Sequence, residues 1–179
     1  MDKIKIFFYS VSLLFFFSCN SDDGGSINPI NRLPKATQTG ENTFGCLLDG
    51  EAFIPGGGIN PLDCVYQLIN GERFFNVQGN KRDEDNNLER ISLSTNAKEL
   101  QEGQTYQLLT NDAGNLFGAF FLNATQKFTD GEENTGELKI THLDLTNQTI
   151  SGTFFFDIVD QNGNLREIRE GRFDMHFTQ

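Results

Sequence analysis

The chain has 179 residues, with 14 Lys and Arg against 25 Asp and Glu, a formal charge of −11 and only 2 His. That balance excludes a nucleic-acid binder, because the phosphate backbone has to be met by clustered Lys and Arg and no such cluster occurs. Negative charge serves solubility first; cationic ligands or divalent metals come second.

The first element is an export tag. Lys3 and Lys5 precede an apolar run from Ile6 to Phe17, and Ser18-Cys19 follows. This is the charged, oily and small-residue order of a secretory signal. The apolar run is shorter than the roughly 20 residues that a spanning helix needs, so a permanent transmembrane anchor is not expected. Phe16-Phe17-Ser18-Cys19 resembles a bacterial lipobox, although Phe16 replaces the usual aliphatic residue. The resemblance implies that residues 1–18 are removed and that Cys19 becomes the acylated first residue, palmitate among its chains. An ordinary cleaved signal with an incidental cysteine is the alternative, and no better cleavage site follows. One acyl chain binds a membrane marginally, whereas two or three anchor stably.

Asn20-Ser21-Asp22-Asp23-Gly24-Gly25 cannot order itself by burying apolar surface. Residues 19–32 therefore read as a flexible acidic tether. The same short acidic stretch looks like the signal that sends Bacteroidetes lipoproteins to the outer face of the outer membrane. Leu33 to Gln179 is one domain's worth of chain.

That domain reads as all-β, an antiparallel sandwich or flattened barrel of about ten short strands. Asp49-Gly50 between "TFGCLL" and "EAFIP" is a type I′ turn signature, which sets Leu48 opposite Glu51 and Cys46 opposite Phe53. Asn70-Gly71 repeats it. There, Cys64, Tyr66, Leu68, Phe75 and Val77 share one face. Further strands are expected at 89–95, 104–109, 116–123, 136–145, 149–159 and 169–178, each rich in Phe, Ile and Thr and separated by Asn, Asp and Gly. The last alternates, with Phe173, Met175 and Phe177 on a dry face and Arg172, Asp174 and His176 on a wet one. Only "NAKELQEG" (96–103) offers a helical turn.

Both remaining cysteines fall on core faces. In an oxidising compartment a Cys46–Cys64 disulfide is the default expectation; two buried free thiols are the alternative. Neither suits a catalytic role, since a nucleophilic thiol needs exposure and a neighbouring base.

One register is awkward. A two-residue turn at Asn162-Gly163 would put Leu165, Glu167 and Arg169 on the face of Phe154, Phe156 and Ile158. Either the hairpin tip projects beyond the core, or a bulge at Gly171 swaps the faces so that Ile168 points in, or the charges line a cavity.

"LPKATQTGENTFGCLLDGEAFIP" (33–55), with "ISGTFFFD" (150–157) and "EGRFD" (170–174), resembles a family of small, functionally uncharacterised Bacteroidetes lipoproteins. Phe53 stands where that family has Trp, and residues 60–140 carry no match. The resemblance implies an exported β domain and brings no catalytic residues with it. Pro34 in this segment keeps the entering chain off any central strand.

Motifs for chemistry are few. His142 and His176 are isolated, without zinc-ligand spacing, and there is no nucleophile elbow or phosphate loop. "DEDNN" (83–87) and "DQNGN" (160–164) have alternating side-chain oxygens that make Asp83, Asp85, Asp160 and Asn162 weak calcium candidates. Both lack the glycine and distal Glu of a full loop, and solvated turns are the simpler reading. "TDGEEN" (129–134) reads alike. No cofactor and no enzymatic activity is expected. The expected function is a lipid-anchored envelope protein at the outer membrane, exposed at the surface if the acidic signal is read. It touches the membrane through its lipid and meets a protein or glycan partner through its domain. The alternative is a lipocalin-like carrier of a small apolar ligand, which requires a barrel with an apolar lumen.

Overall fold

Asp49 and Gly50 have φ of 54° and 85°, and Asn70 and Gly71 have 52° and 89°, so each pair supplies the two positive φ angles of a type I′ turn. The computed structural model describes residues 28–58 and 60–179. The first turn joins β1 (Thr43–Leu48) to β2 (Glu51–Phe53) with Cys46 opposite Phe53, and the second joins β3 (Leu62–Ile69) to β4 (Glu72–Arg82) with Cys64 opposite Val77. Both registers follow the sequence expectation. Seven more strands complete the chain: β5 (Leu88–Thr95), β6 (Thr105–Gln107), β7 (Leu116–Leu122), β8 (Thr125–Phe128), β9 (Gly136–Asp144), β10 (Thr149–Val159) and β11 (Leu165–His176).

These strands form two antiparallel sheets, ordered β2-β1-β11-β10-β9-β6 and β3-β4-β5-β7-β8. The fold is an all-β sandwich, not a closed barrel. The inner faces fill the space between the sheets: Phe44, Phe53, Phe154, Phe156, Ile168 and Phe173 from the first meet Tyr66, Phe75, Val77, Ile91, Leu93 and Phe120 from the second. Leu68, although on the core face of β3, lies past the end of the core and is 58% exposed. β3 is an edge strand, and the C-terminal tail shields part of it: Tyr66 N–H donates to the Thr178 carbonyl and Thr178 N–H to that of Cys64.

The awkward hairpin resolves through two irregularities. Val159 pairs with Leu165, so residues 160–164 form a five-residue loop in place of a two-residue turn. Phe156 therefore faces Ile168, which is fully buried. One extra residue in β11 then shifts the register against both neighbours: Phe154 pairs with Gly171, and on the other side Leu47 pairs with Arg169 but Gly45 with Arg172. Glu170, at φ 53°, is that bulge. The bulge expected at Gly171 is thus present one residue earlier, at Glu170, and Phe173 and Phe177 point inward beyond it.

Three expectations change. The chain from Asn28 is ordered: Pro29–Arg32 forms a 3-10 turn capped by the Asn28 side chain, so the end of the expected tether belongs to the domain. Residues 96–103 form a loop and no helical turn. Its backbone is tied down by two phenols, Leu100 N–H donating to Tyr66 Oη and Gln101 N–H to Tyr106 Oη, while Leu100 plugs the core. Finally, Cys46 and Cys64 are not bridged; both are free, buried thiols. They sit in opposite sheets, and a shared core does not itself bring two Cα atoms to bridging distance.

Candidate functional site

The outer face of the six-stranded sheet carries the site. Its upper half is covered by residues 34–42, a strap that enters beside β1, where Pro34 packs against Gly45. A buried carboxylate on the outer face of β11 holds it down. Asp174 Oδ2 accepts from Thr37 Oγ1 (2.7 Å), Thr39 N (3.0 Å) and Glu41 N (3.2 Å), and its Oδ1 accepts from Gly40 N (2.9 Å) and Ser151 Oγ (2.7 Å). Gln38 Nε2 adds a bond to the Thr141 carbonyl, and the Asn42 side chain accepts from His176 N–H. Burial alone would raise the Asp174 pKa. The hydrogen bonds from Thr37, Ser151, Thr39 and Gly40 outweigh it and hold the carboxyl well below the usual carboxylate range. Asp174 was expected on the wet face; it is on that face and fully covered.

The lower half remains open as a groove of about 570 Å³, walled at its upper end by Ala36 of the strap. Its floor comes from β6, β9, β10 and β11, and the registers set its chemistry. Thr105 pairs with Lys139, Lys139 with Thr153, and Thr153 with Arg172, giving one cross-strand row of two hydroxyls and two cations. The next row holds Glu137 and the Phe155 ring, which is 45% exposed. Beyond it, Arg169 Nη2 lies 2.6 Å from Asp157 Oδ1 and 3.1 Å from Glu167 Oε1, and Nη1 donates to the Phe156 and Ile168 carbonyls. Arg172 reaches Glu170 through both its carbonyl (3.0 Å) and its carboxylate (3.3 Å). Lys139 Nζ has no ion-pair partner among the described residues. In an acidic chain, this floor gathers three cations.

A second polar cluster closes the far end of the sandwich. Arg166 lies over the Phe120 ring at 4.7 Å, with Asp49 at 2.6 Å, Glu89 at 3.6 Å and Asp160 at 3.8 Å. Lys81 adds a contact to Glu89 at 3.7 Å. Glu89 belongs to one sheet and Arg166 to the other, so the cluster ties them together. It is structural in character, with Glu89 and Asp160 buried and Asp49 and Lys81 at its solvent edge.

The sequence-predicted site residues have ordinary places. Cys19 lies outside the described residues. Burial pushes the thiols of Cys46 and Cys64 up, the reverse of what a nucleophile needs. In the calcium candidates the carboxylates serve their own loops. Asp83 accepts from the backbone and side-chain amides of Asn87, and Asp160 accepts from the N–H groups of Asn162 and Asn164. Asp130 with Asn134 and Asp144 with Asn147 repeat the arrangement. The Asp/Asn spacing is thus the mark of a self-closed turn. No group of three or more His, Cys, Asp or Glu able to hold a metal occurs among the described residues. His142 meets Glu102 at 3.3 Å and Thr149 at 3.2 Å; His176 is exposed. Sequence reasoning missed the groove, because its row of Thr105, Lys139, Thr153 and Arg172 is drawn from four strands and has no linear signature.

A family model described as a domain of unknown function, DUF6252, matches residues 68–175. The chain belongs to the DUF6252 family. The matched stretch runs from the end of β3 through Met175 and so includes the groove floor and Asp174, while the strap and the β1–β2 hairpin lie before it. No curated protein and no solved structure matches the chain. No helix among the described residues of this DUF6252 protein is long and apolar enough to cross a membrane.

Proposed function

We propose that this DUF6252 protein is a lipid-anchored protein of the bacterial cell envelope, held at the outer membrane through Cys19, whose sandwich is a binding module. The observation that carries the reading is the order of Lys3 and Lys5, the apolar run to Phe17, Ser18-Cys19 and the acidic, glycine-rich stretch behind it. The resemblance of residues 33–55 and 170–174 to uncharacterised Bacteroidetes lipoproteins supports it. The two motifs meet in space, since the strap of the first is bound by Asp174 of the second. A chain tethered at residue 19 would transmit its pull to that strap, and the strap's four hydrogen bonds to one carboxylate are a suitable mooring. The groove beside the strap is the surface best suited to a ligand, being open, lined by both charged and apolar groups, and floored by β9, β10 and β11 inside the sheet with β6 at its edge. A lipocalin-like carrier is less well served, because the space between these sheets is filled by phenylalanine and aliphatic side chains.

Metabolic labelling with an alkyne palmitate analogue tests the anchor. The native chain takes the label and Cys19→Ser does not; an unlabelled native chain overturns the reading. Protease shaving of intact cells, read against a periplasmic control, then assigns the face: digestion of the domain with the control intact places it outside the cell.

A further inference from the structure

The geometry points to an acidic saccharide, a chain bearing uronate-type carboxylates, as the ligand of the groove on the six-stranded sheet; this rests on the binding-module reading and supplies its ligand class. The row Thr105–Lys139–Thr153–Arg172 spans four neighbouring strands. Adjacent strands lie about 4.8 Å apart, so Lys139 and Arg172 stand roughly 10 Å apart with the Thr153 hydroxyl between them. No acidic side chain interrupts that row. Lys139 Nζ is free of ion pairs among the described residues, whereas Arg169 is spent on Asp157, Glu167 and two carbonyls. A carboxylate lying over Thr153 would meet the Lys139 ammonium on one side and on the other the Arg172 guanidinium, which Glu170 holds through Nε and Nη2, leaving Nη1 to form a charge-assisted hydrogen bond.

The neighbouring groups select a sugar over a peptide. Thr105 and Thr153 are exposed hydroxyls, able to donate to and accept from ring hydroxyls, and the exposed Phe155 ring beside them offers an apolar plate for the C–H face of a pyranose. An extended peptide would look for main-chain partners, and β9, β10 and β11 have theirs on both sides already, which leaves only the three-residue edge strand β6 to offer any. The groove is open, so a chain longer than the part it holds can extend beyond it.

The test is calorimetric titration of the full chain, solubilised in detergent, with trigalacturonate, its methyl ester and tetraglutamate. The acid is expected to bind, with the ester weaker by about tenfold because the charge-assisted contacts are lost. Lys139 is exposed, so Lys139→Gln leaves the melting temperature unchanged and is expected to weaken the acid by about fivefold or more. Absence of trigalacturonate binding, equal binding of the ester, or indifference to Lys139→Gln overturns the proposal; tetraglutamate binding as well as the sugar acid overturns the saccharide assignment. Each of these failures leaves the lipid anchor standing if Cys19 takes palmitate, whereas an unlabelled chain that binds the sugar acid overturns the anchor alone.

Discussion

Asp174 gathers five donors, three of them backbone N–H groups of the strap and one a hydroxyl from β10. Hydrogen bonds to a charged group are worth about 1.5–3 kcal/mol each in favourable cases, and donors stranded near a buried site add to the loss. Asp174→Ala is therefore expected to cost about 3 kcal/mol by chemical denaturation and to free the strap, which limited trypsin digestion would report as cleavage after the exposed Lys35. An unchanged digestion pattern would show that the strap is held by something else. Period-two alternation puts Asp174 on an outer face correctly, but cannot foresee a cover arriving from more than 130 residues away in the chain. The cysteines show the same limit. Their core faces follow from two tight turns, while bridging depends on the separation of two strands in different sheets. Both thiols should resist Ellman's reagent in the native protein and react fully in denaturant after no reductant has been added; an absent reaction in denaturant would mean a disulfide.

The β10–β11 hairpin shows what a strand pattern leaves undecided. The sequence "DQNGN" reads equally as a loop containing an Asn-Gly turn and as a five-residue loop closed by Asp160, and the two differ by one residue of register. One residue reverses every side chain. The chain then reverses again at Glu170, so the beginning and the end of β11 bury what their apolar residues require. Conflict between Ile168 and Arg169 in the pattern was the legible sign that a bulge was needed. The groove floor exists because of it, since Arg169 and Arg172 come to the same outer face only with an extra residue between them. Gly171 sits where a Cβ would fall 2.5 Å from the Phe154 ring and 2.6 Å from its carbonyl oxygen. Gly171→Ala should therefore destabilise the fold by about 1–3 kcal/mol, the range of overpacking, measured as a shift in the urea midpoint. No shift would mean that the bulge can move along β11.

At the scale of the whole molecule, alternation and turn residues made the all-β class legible, but not the division into two sheets. That division depends on pairings such as β1 with β11, between opposite ends of the chain, and on a six-five partition that no local pattern encodes. The sheets are joined by apolar packing and by Arg166, whose partners come from the first turn, the last loop and the opposite sheet. The carboxylates distributed over this architecture make its stability depend on acid. Asp174 and Asp160 are held low against the opposing effect of burial, and Asp83, Asp130 and Asp144 are held low chiefly by hydrogen bonds within their loops. A folded-state pKa below the unfolded value means that the unfolded chain takes up protons first as pH falls. The stabilisation is therefore fully present above the ordinary Asp value of about 3.9 and is lost as pH drops from there through the folded-state values. Melting temperature should vary little from about pH 7 to 5 on this account and fall steeply below about pH 4. Self-repulsion relaxes from pH 7 toward the isoelectric point near 4.5 and grows again with positive charge below it, so the contribution of the strap has to be read as a difference. Asp174→Asn keeps the shape, lacks the titration, and should show a shallower acid slope than the native protein; parallel slopes would remove Asp174 as the principal acid-sensitive group and shift the assignment to the loop aspartates.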